Sequence, residues 1–296
     1  MIDFKTVSPQ AATLFEQYHD LLPQIRNAES SLANLCAYSF LYHGEYAVVK
    51  DCLVTRIYLD DKTLCYHYPL GRENQDEVLE LLKEDARKRN LSMKIICGDA
   101  VPLETIGGAC NPVLRRDFFD YLYSREDLQH LKGRKYQPKR NHVNKFKSLY
   151  DWKFEIVKRK DTSECIAFED KWIKDAVLRN PELVSDYQNE KKVVEYLLSN
   201  GEQLGIFAGM IKVEGNIVAF SIGSRINHET FDTHIEKADR NFEGSFAIIN
   251  QQMAEHMPQN YIYINREEDL GLEGLRKAKE SYHPVRLIEK YMASLY

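Results

Sequence analysis

The sequence predicts a mixed α/β fold, α+β in character, in two consecutive units, each a mixed, mainly antiparallel sheet flanked by helices. Three observations predict it. Residues 230–239 alternate with the two-residue period of a half-buried strand, and several other short runs read the same way. Longer stretches carry helical spacing; in residues 73–89, Val78, Leu81, Leu82 and Ala86 share one side. The second half orders its elements as β-α-α-β-β-β-α-β-α-β, and the first half follows an abbreviated form of that plan. A chain of 296 residues suits one large domain or two ordinary ones.

The elements follow from local chemistry. Ser8-Pro9 opens a helix, with a capping residue before a proline at the first helical position. Leu14, Tyr18 and Leu21 form its expected apolar stripe. Residues 30–42 read as one mostly buried helix. Residues 45–51, 52–59 and 63–71 read as consecutive strands, with 60–62 as a turn. After the helix at 73–89 come strands at 93–99 and 118–123, closing an N-terminal unit, 1–123. Ser124 and Asp127 form a weak capping box for the next helix. Residues 124–150 read as a basic helical connector, in which Pro138 starts a helix that turns Val143 and Phe146 inward. The C-terminal unit, 151–296, begins with a strand at 152–157 and two amphipathic helices. Three strands follow, joined by turns at Gly215-Asn216 and Asn227-His228. Helix 244–257, strand 261–264, helix 270–282 and a last strand from Val285 to Met292 complete it.

Bulk properties exclude several classes. Apolar residues make up 44% and charged residues 29%, as in ordinary globular proteins. A net charge of −5 gives no global nucleic-acid signature. No stretch approaches the roughly 20 apolar residues of a membrane span. The N-terminus has no basic flank and no apolar core, so a cytoplasmic location is expected. The six cysteines, at 36, 52, 65, 97, 110 and 165, show no metal-ligand spacing. Buried reduced thiols are expected, with neither disulfides nor a metal.

Four places carry candidate chemistry. Lys132, Arg134, Lys135, Lys139, Arg140, Lys145 and Lys147 form a one-sided basic patch in an acidic chain. Arg134, Lys135, Lys139 and Arg140 are the nominated phosphate or RNA contacts; a solvated helix face would look similar. In the strand at 230–239, Asp232, His234 and Glu236 fall on one face and Lys237 on the other. The first three are candidate catalytic groups, able to act as a general base or to hold an ammonium; a solvent-facing edge strand is the alternative. Gly244 enters a helix whose positive end favours an anion. Asn265, Arg266, Glu268 and Asp269 crowd a strand-to-helix junction, where ligands bind in open sheets. Arg276 and Lys279 follow on the helix, and suit either ligand contact or the helix dipole.

Three blocks, "LKGRKYQPKRNHVNKF", "HIEKADRNFEGSFAIIN" and "INREEDLGLEGLRKAKESYHP", resemble the signature blocks of soluble relatives of the phosphatidylglycerol lysyltransferase catalytic domain. The resemblance spans most of the chain. It implies tandem GNAT-type acyltransferase folds and transfer of an aminoacyl group from aminoacyl-tRNA to a lipid headgroup hydroxyl. The similar Fem-type enzymes use an amine acceptor. The resemblance further implies that strands 216–226 and 230–237 splay, with the donor carbonyl in the gap and Gly244 facing its phosphates. Glu236 or Asp232 would then orient or deprotonate the acceptor, with His234 as the other candidate base. Lys237, Asn265, Arg266, Glu268 and Asp269 would line the pocket, the carboxylates holding an ammonium. Two departures stand out. The membrane-embedded half of the lipid enzymes is missing. The acetyl-CoA loop pattern is also broken, since Arg240-Asn241-Phe242-Glu243-Gly244 places arginine one residue early. Aminoacyl-tRNA or acyl-CoA is the expected co-substrate, with no tightly bound cofactor, and tRNA and a lipid or small-molecule acceptor are the expected partners. An acyl-CoA-dependent N-acetyltransferase and a non-catalytic RNA- or nucleotide-binding module are the rival readings.

Overall fold

The described residues form two seven-stranded sheets, each with a single parallel strand pair among them. The structure, a computed structural model, describes residues 1–98 and 112–295. Along the first half run β1 (Lys5–Thr6), α1 (Ala12–Leu21), α2 (Leu32–Ala37), α3 (Ser39–Tyr42), β2 (Glu45–Val49), β3 (Cys52–Asp60), β4 (Thr63–His67), α4 (Gln75–Lys88), β5 (Ser92–Gly98), β6 (Val113–Leu114) and β7 (Asp120–Ser124). Next come α5 (Arg125–His130), α6 (Gln137–Leu149), β8 (Trp152–Ile156), α7 (Thr162–Arg179), α8 (Val184–Ser199), β9 (Phe207–Val213), β10 (Asn216–Arg225) and β11 (Thr230–Ala238). The chain closes with α9 (Ser245–His256), β12 (Tyr263–Asn265), α10 (Glu273–Glu280), β13 (Arg286–Ile288) and β14 (Lys290–Leu295).

The first sheet has the order β1-β2-β3-β4-β5-β14-β6 and the second β13-β7-β12-β11-β10-β9-β8. In each, antiparallel hairpin strands lead to a helix and a parallel partner: β4-α4-β5 and β11-α9-β12. The same plan is thus run twice, as the sequence resemblance implies. Each half also lends a strand to the other. β7, from the 118–123 run, lies in the second sheet against β12, while β14 lies in the first sheet against β5. The last strand is therefore two strands, parted at Glu289, which serve different sheets.

Three apolar clusters hold this together. Val54, Leu64, Val78, Leu82 and Ile95 pack the first sheet against α4, and Ala293 and Leu295 of β14 join them. Ile248, Ile249 and Met253 of α9, with Val143 and Phe146 of α6, cover one face of the second sheet. Val143 and Phe146 thus point inward, as the helical spacing requires. The other face meets both halves: Phe15, Leu35 and Cys36 pack with Phe168, Val194, Leu197, Phe220 and Ile235. The first half thereby roofs the second sheet.

Local details depart from the sequence reading in three places. Pro9–Ala11 forms a short 3-10 turn before α1, and Ser8 makes no side-chain cap. The buried face of α1 is Phe15 and His19, while Leu21 is exposed. That rotation seats His19 Nε2 against the Ser30 carbonyl at 3.1 Å and sets Phe15 edge-on to Tyr46. The helix expected over 30–42 breaks at Tyr38 into α2 and α3. Finally, strands 216–226 and 230–237 do not splay; they pair throughout as an antiparallel hairpin, from Ala219↔Ala238 to Arg225↔Phe231. Cys36, Cys52, Cys65, Cys97 and Cys165 are buried free thiols, and Cys110 lies outside the described residues.

Candidate active site

The opening between strands lies one strand further along. β11 and β12 pair in parallel for three positions, Thr230↔Tyr263, Phe231↔Ile264 and Asp232↔Asn265, and then part. β11 continues to Ala238, whereas the Arg266 N–H turns away to the Tyr121 carbonyl at 3.0 Å. The parting leaves a notch flanked by residues 233–238 on one side and 266–268 on the other.

Most of the polar groups crowding the 265–282 junction hold that turn in place. Asn265 is fully buried; its amide donates to the Arg26 carbonyl and to Asp120, and its Oδ1 accepts the Glu267 N–H at 2.7 Å. The Lys279 ammonium gathers the carbonyls of Arg266, Glu267 and Glu268. Burial lowers the Lys279 pKa, against the pull of Glu268. Asp269, fully buried, receives Arg116, Arg276 and the Tyr121 hydroxyl, the last at 2.6 Å. Those donors outweigh its burial and hold its carboxyl below the usual range. Arg276 and Lys279 are therefore positioning residues for the loop. The loop they hold places Glu267 at φ 53°, a left-handed conformation uncommon for a side-chain-bearing residue.

A β-bulge divides the candidates on β11. Ile222 pairs with Ile235 and Gly223 with Thr233, so His234 is the extra residue. The strict alternation expected from sequence is broken there. Asp232 and His234 face the roof formed by the first half, but Glu236 turns to the α9 face. The Glu236 carboxylate accepts from Asn250 at 3.2 Å and from Arg266 at 2.7 Å. Arg266 lies over the rings of Tyr123 and Tyr282, and the Lys139 ammonium sits 4.0 Å from the Tyr282 ring on the same side. Burial, helped by Arg266 nearby, brings the Lys139 pKa down to about 8. Glu236, Arg266 and Lys139, remote in sequence, thus converge at the notch. Lys237 points the other way, over Trp172 and onto Glu190.

On the roof side, Asp232, His234 and Glu267 come together. His234 Nδ1 lies 3.0 Å from Glu267 and 3.5 Å from Asp232, while Nε2 meets Ser224 Oγ at 2.8 Å. Asn34 of α2 donates to Glu267 at 3.2 Å. Beside them Lys290 of β14 bridges Asp120 and Glu29, both at 2.6 Å. Burial raises the Asp232 pKa well above the ordinary value, and the Glu267 and Asp120 charges add to it. Burial pushes Glu268 up to about 7, against the pull of Lys290.

The basic connector is partly spoken for. Arg140 caps the carbonyls of Leu131 and Gly133, and Lys135 and Lys145 pair with Asp127 and Glu243 at 3.7 and 2.8 Å. Arg134 is exposed. Gly244 has φ 88°, and a Cβ there would lie 2.3 Å from the His142 carbonyl of α6, so close helix packing calls for the glycine. Sequence reasoning missed a cleft of about 250 Å³ at the end of β11, lined by Lys171, Trp172, Arg179, Asp239 and Arg240 among others. It joins α7 to the loop after β11, and no short motif links those segments. Glu267 and Ser224 were missed too, since pairing across β10 and β12 is what brings them to His234.

The family model for the phosphatidylglycerol lysyltransferase C-terminal domain matches residues 22–294. The chain belongs to that family. A conserved protein of unknown function from Bacteroides thetaiotaomicron is 39% identical, with a TM-score of 0.93 and 100% of both chains covered. The structure of L-PGS from Bacillus licheniformis superposes with a TM-score of 0.68 at 15% identity, covering 98% of this chain and 92% of that one. An uncharacterised protein of Mycoplasmoides gallisepticum is 24% identical over 237 residues, 77% of this chain and 74% of its own. Membership in the phosphatidylglycerol lysyltransferase C-terminal family, with this fold, places the chain among the acyltransferases. Among the described residues, no helix is long and apolar enough to cross a membrane.

Proposed function

We propose that this chain moves an aminoacyl group from aminoacyl-tRNA to an amine or hydroxyl acceptor. The observation that carries the reading is the Glu236–Arg266 pair set across the notch where β11 and β12 part. A carbonyl seated there would lie against the stretch of β11 beyond its pairing with β12, and a strand N–H on that edge would polarise it. Glu236 would take the acceptor's proton as the amine or hydroxyl attacks that carbonyl, and Arg266 would orient the carboxylate. The tRNA hydroxyl would leave as the new amide or ester forms.

The cleft beside Ala238 suits the donor's nucleotide end. Trp172 offers a ring for stacking, and Arg179 and Arg240 offer charge for phosphate. Arg134 and Lys135, exposed on the connector, would meet the tRNA backbone. A lipid headgroup and a small soluble amine are both acceptors of the right chemistry, which the acceptor arm of the experiment separates.

The test is transfer of label from a charged tRNA pool to vesicles containing phosphatidylglycerol, or to a small-molecule extract. Glu236→Gln is expected to cut the rate at least tenfold, since a positioned base contributes about 10²–10⁴-fold. An undiminished rate in the folded variant removes Glu236 from this role. Competition by desulfo-coenzyme A, with no loss of label from tRNA, would favour an acyl-CoA donor. Salt-sensitive tRNA binding without turnover on any donor would mark a binding module.

A further inference from the structure

We propose a divalent-cation site formed by Asp232, His234 and Glu267, with a first-row ion such as Zn²⁺ or Mn²⁺ as its occupant. One ligand atom from each residue lies within 4.8 Å of the others. The measured separations are 3.0 Å from His234 Nδ1 to Glu267 and 3.5 Å from His234 Nδ1 to Asp232. Ligands bound at about 2.0–2.2 Å in tetrahedral or octahedral array stand about 3.0–3.5 Å apart. The two separations from His234 already match those of a coordination sphere, and the third lies within 4.8 Å.

Asp232 gives an independent reason. Its side chain is fully buried, and neither carboxylate oxygen accepts a hydrogen bond from the described residues. A buried carboxylate without donors is costly unless a cation meets it. Asp120 and Glu29, close by, have such a cation in Lys290. Lys290 reaches Asp232 only through its charge and pairs directly with the other two, while the Asp232 oxygens share their space with His234 Nδ1.

The surroundings fit a histidine ligand. His234 Nε2 meets Ser224 Oγ at 2.8 Å and Nδ1 meets Glu267 at 3.0 Å; the tautomer with Nε2–H donating to Ser224 frees the Nδ1 lone pair to ligate a cation between the two carboxylates. The Nε2 contact is the kind of outer partner that fixes a ligating imidazole. Asn34 steadies Glu267 in the same way, at 3.2 Å. The mixed nitrogen and oxygen donors favour Zn²⁺ or Mn²⁺ over Mg²⁺, which prefers oxygen alone and keeps its waters. The partly open Glu267 provides the approach from solvent. None of this depends on the donor or acceptor of the reaction. The ligands come from β11 and from a loop more than thirty residues later, so no short-range spacing announces them.

The full chain, stripped with chelator and dialysed, is titrated with Zn²⁺ and with Mn²⁺ by calorimetry, and metal content is measured after desalting. One equivalent per chain is expected, with a rise in Tm. Glu267→Gln and His234→Ala are expected to weaken binding at least tenfold. Asp232→Asn removes the uncompensated charge, so the metal-free variant is expected to melt at or above the Tm of the metal-free parent while losing the metal-dependent rise. That pairing of effects separates lost ligation from failed folding. Three results would overturn the site: no saturable binding of either ion, binding that survives both Asp232→Asn and Glu267→Gln, or stabilisation by a primary ammonium such as methylamine that Asp232→Asn abolishes while metals have no effect.

Discussion

Glu169 shows how a single side chain can work against the fold. It is fully buried in α7, and neither carboxylate oxygen has a hydrogen-bond partner among the described residues. Burial pushes its pKa up to about 7; Glu190 and Asp170 act in the same direction, and Lys237 and Lys191 oppose them. An acid whose folded pKa lies above its unfolded value binds more protons when folded, so stability falls as pH rises between the two. Its contribution is full below about 4.5 and is lost as pH passes through about 7. Glu169→Gln is therefore expected to flatten the Tm-versus-pH profile from pH 5 to 7. At pH 8 it should stabilise the protein by roughly 1–3 kcal/mol, as chemical denaturation would show. A profile with unchanged slope would mean the carboxylate has found a partner. The same physics gives Asp232 and Glu268 their raised values, but Asp232 belongs to the candidate cation site and Glu268 flanks the notch, where a ligand rather than stability alone is at stake.

At the scale of elements, two backbone irregularities decide which side chains meet. The bulge at His234 sends Glu236 to Arg266 and Asn250 while keeping Asp232 and His234 with Glu267. A regular strand would have put all three on one face. The second irregularity is the glycine between β11 and α9. Gly244 combines φ 88° with contact against the His142 carbonyl, so Gly244→Ala carries both backbone strain and a clash. A loss of about 2 kcal/mol or more is expected from strain of this kind, read from the urea midpoint. Full stability in that variant would mean that α6 and α9 are free to move apart, contrary to the packing of Val143 and Phe146.

The exchange of β7 and β14 makes the two sheets one cooperative object. Lys290 of β14 is buried in a cluster with Asp120 of β7 and Glu29 of the first half. Lys290→Met leaves two buried carboxylates without their cation, which typically costs about 3–5 kcal/mol. The prediction is a lower midpoint with a single transition, followed by far-ultraviolet dichroism and by tyrosine and tryptophan fluorescence. Separate transitions for the two sheets would show that they fold independently. The mixed architecture, the hairpins and the amphipathic helices were legible because period-two and helical spacing are local properties; α4, α6 and β11 lie within a few residues of their expected bounds. The strand exchange was not legible, because the 118–123 run and the 285–292 run look alike whichever sheet accepts them.

By itself, the sequence determined the two-sheet α/β plan, the family, and the concentration of polar groups on β11 and after β12. It did so because burial periodicity, turn residues and ordered sequence blocks are written in neighbouring positions. Only the tertiary structure decided which of those groups act together. A one-residue bulge splits Glu236 from Asp232 and His234, and a parting of β11 from β12 brings in Arg266 and Glu267. Both depend on strand register, which is set by pairing across the sheet and not by any residue's immediate neighbours.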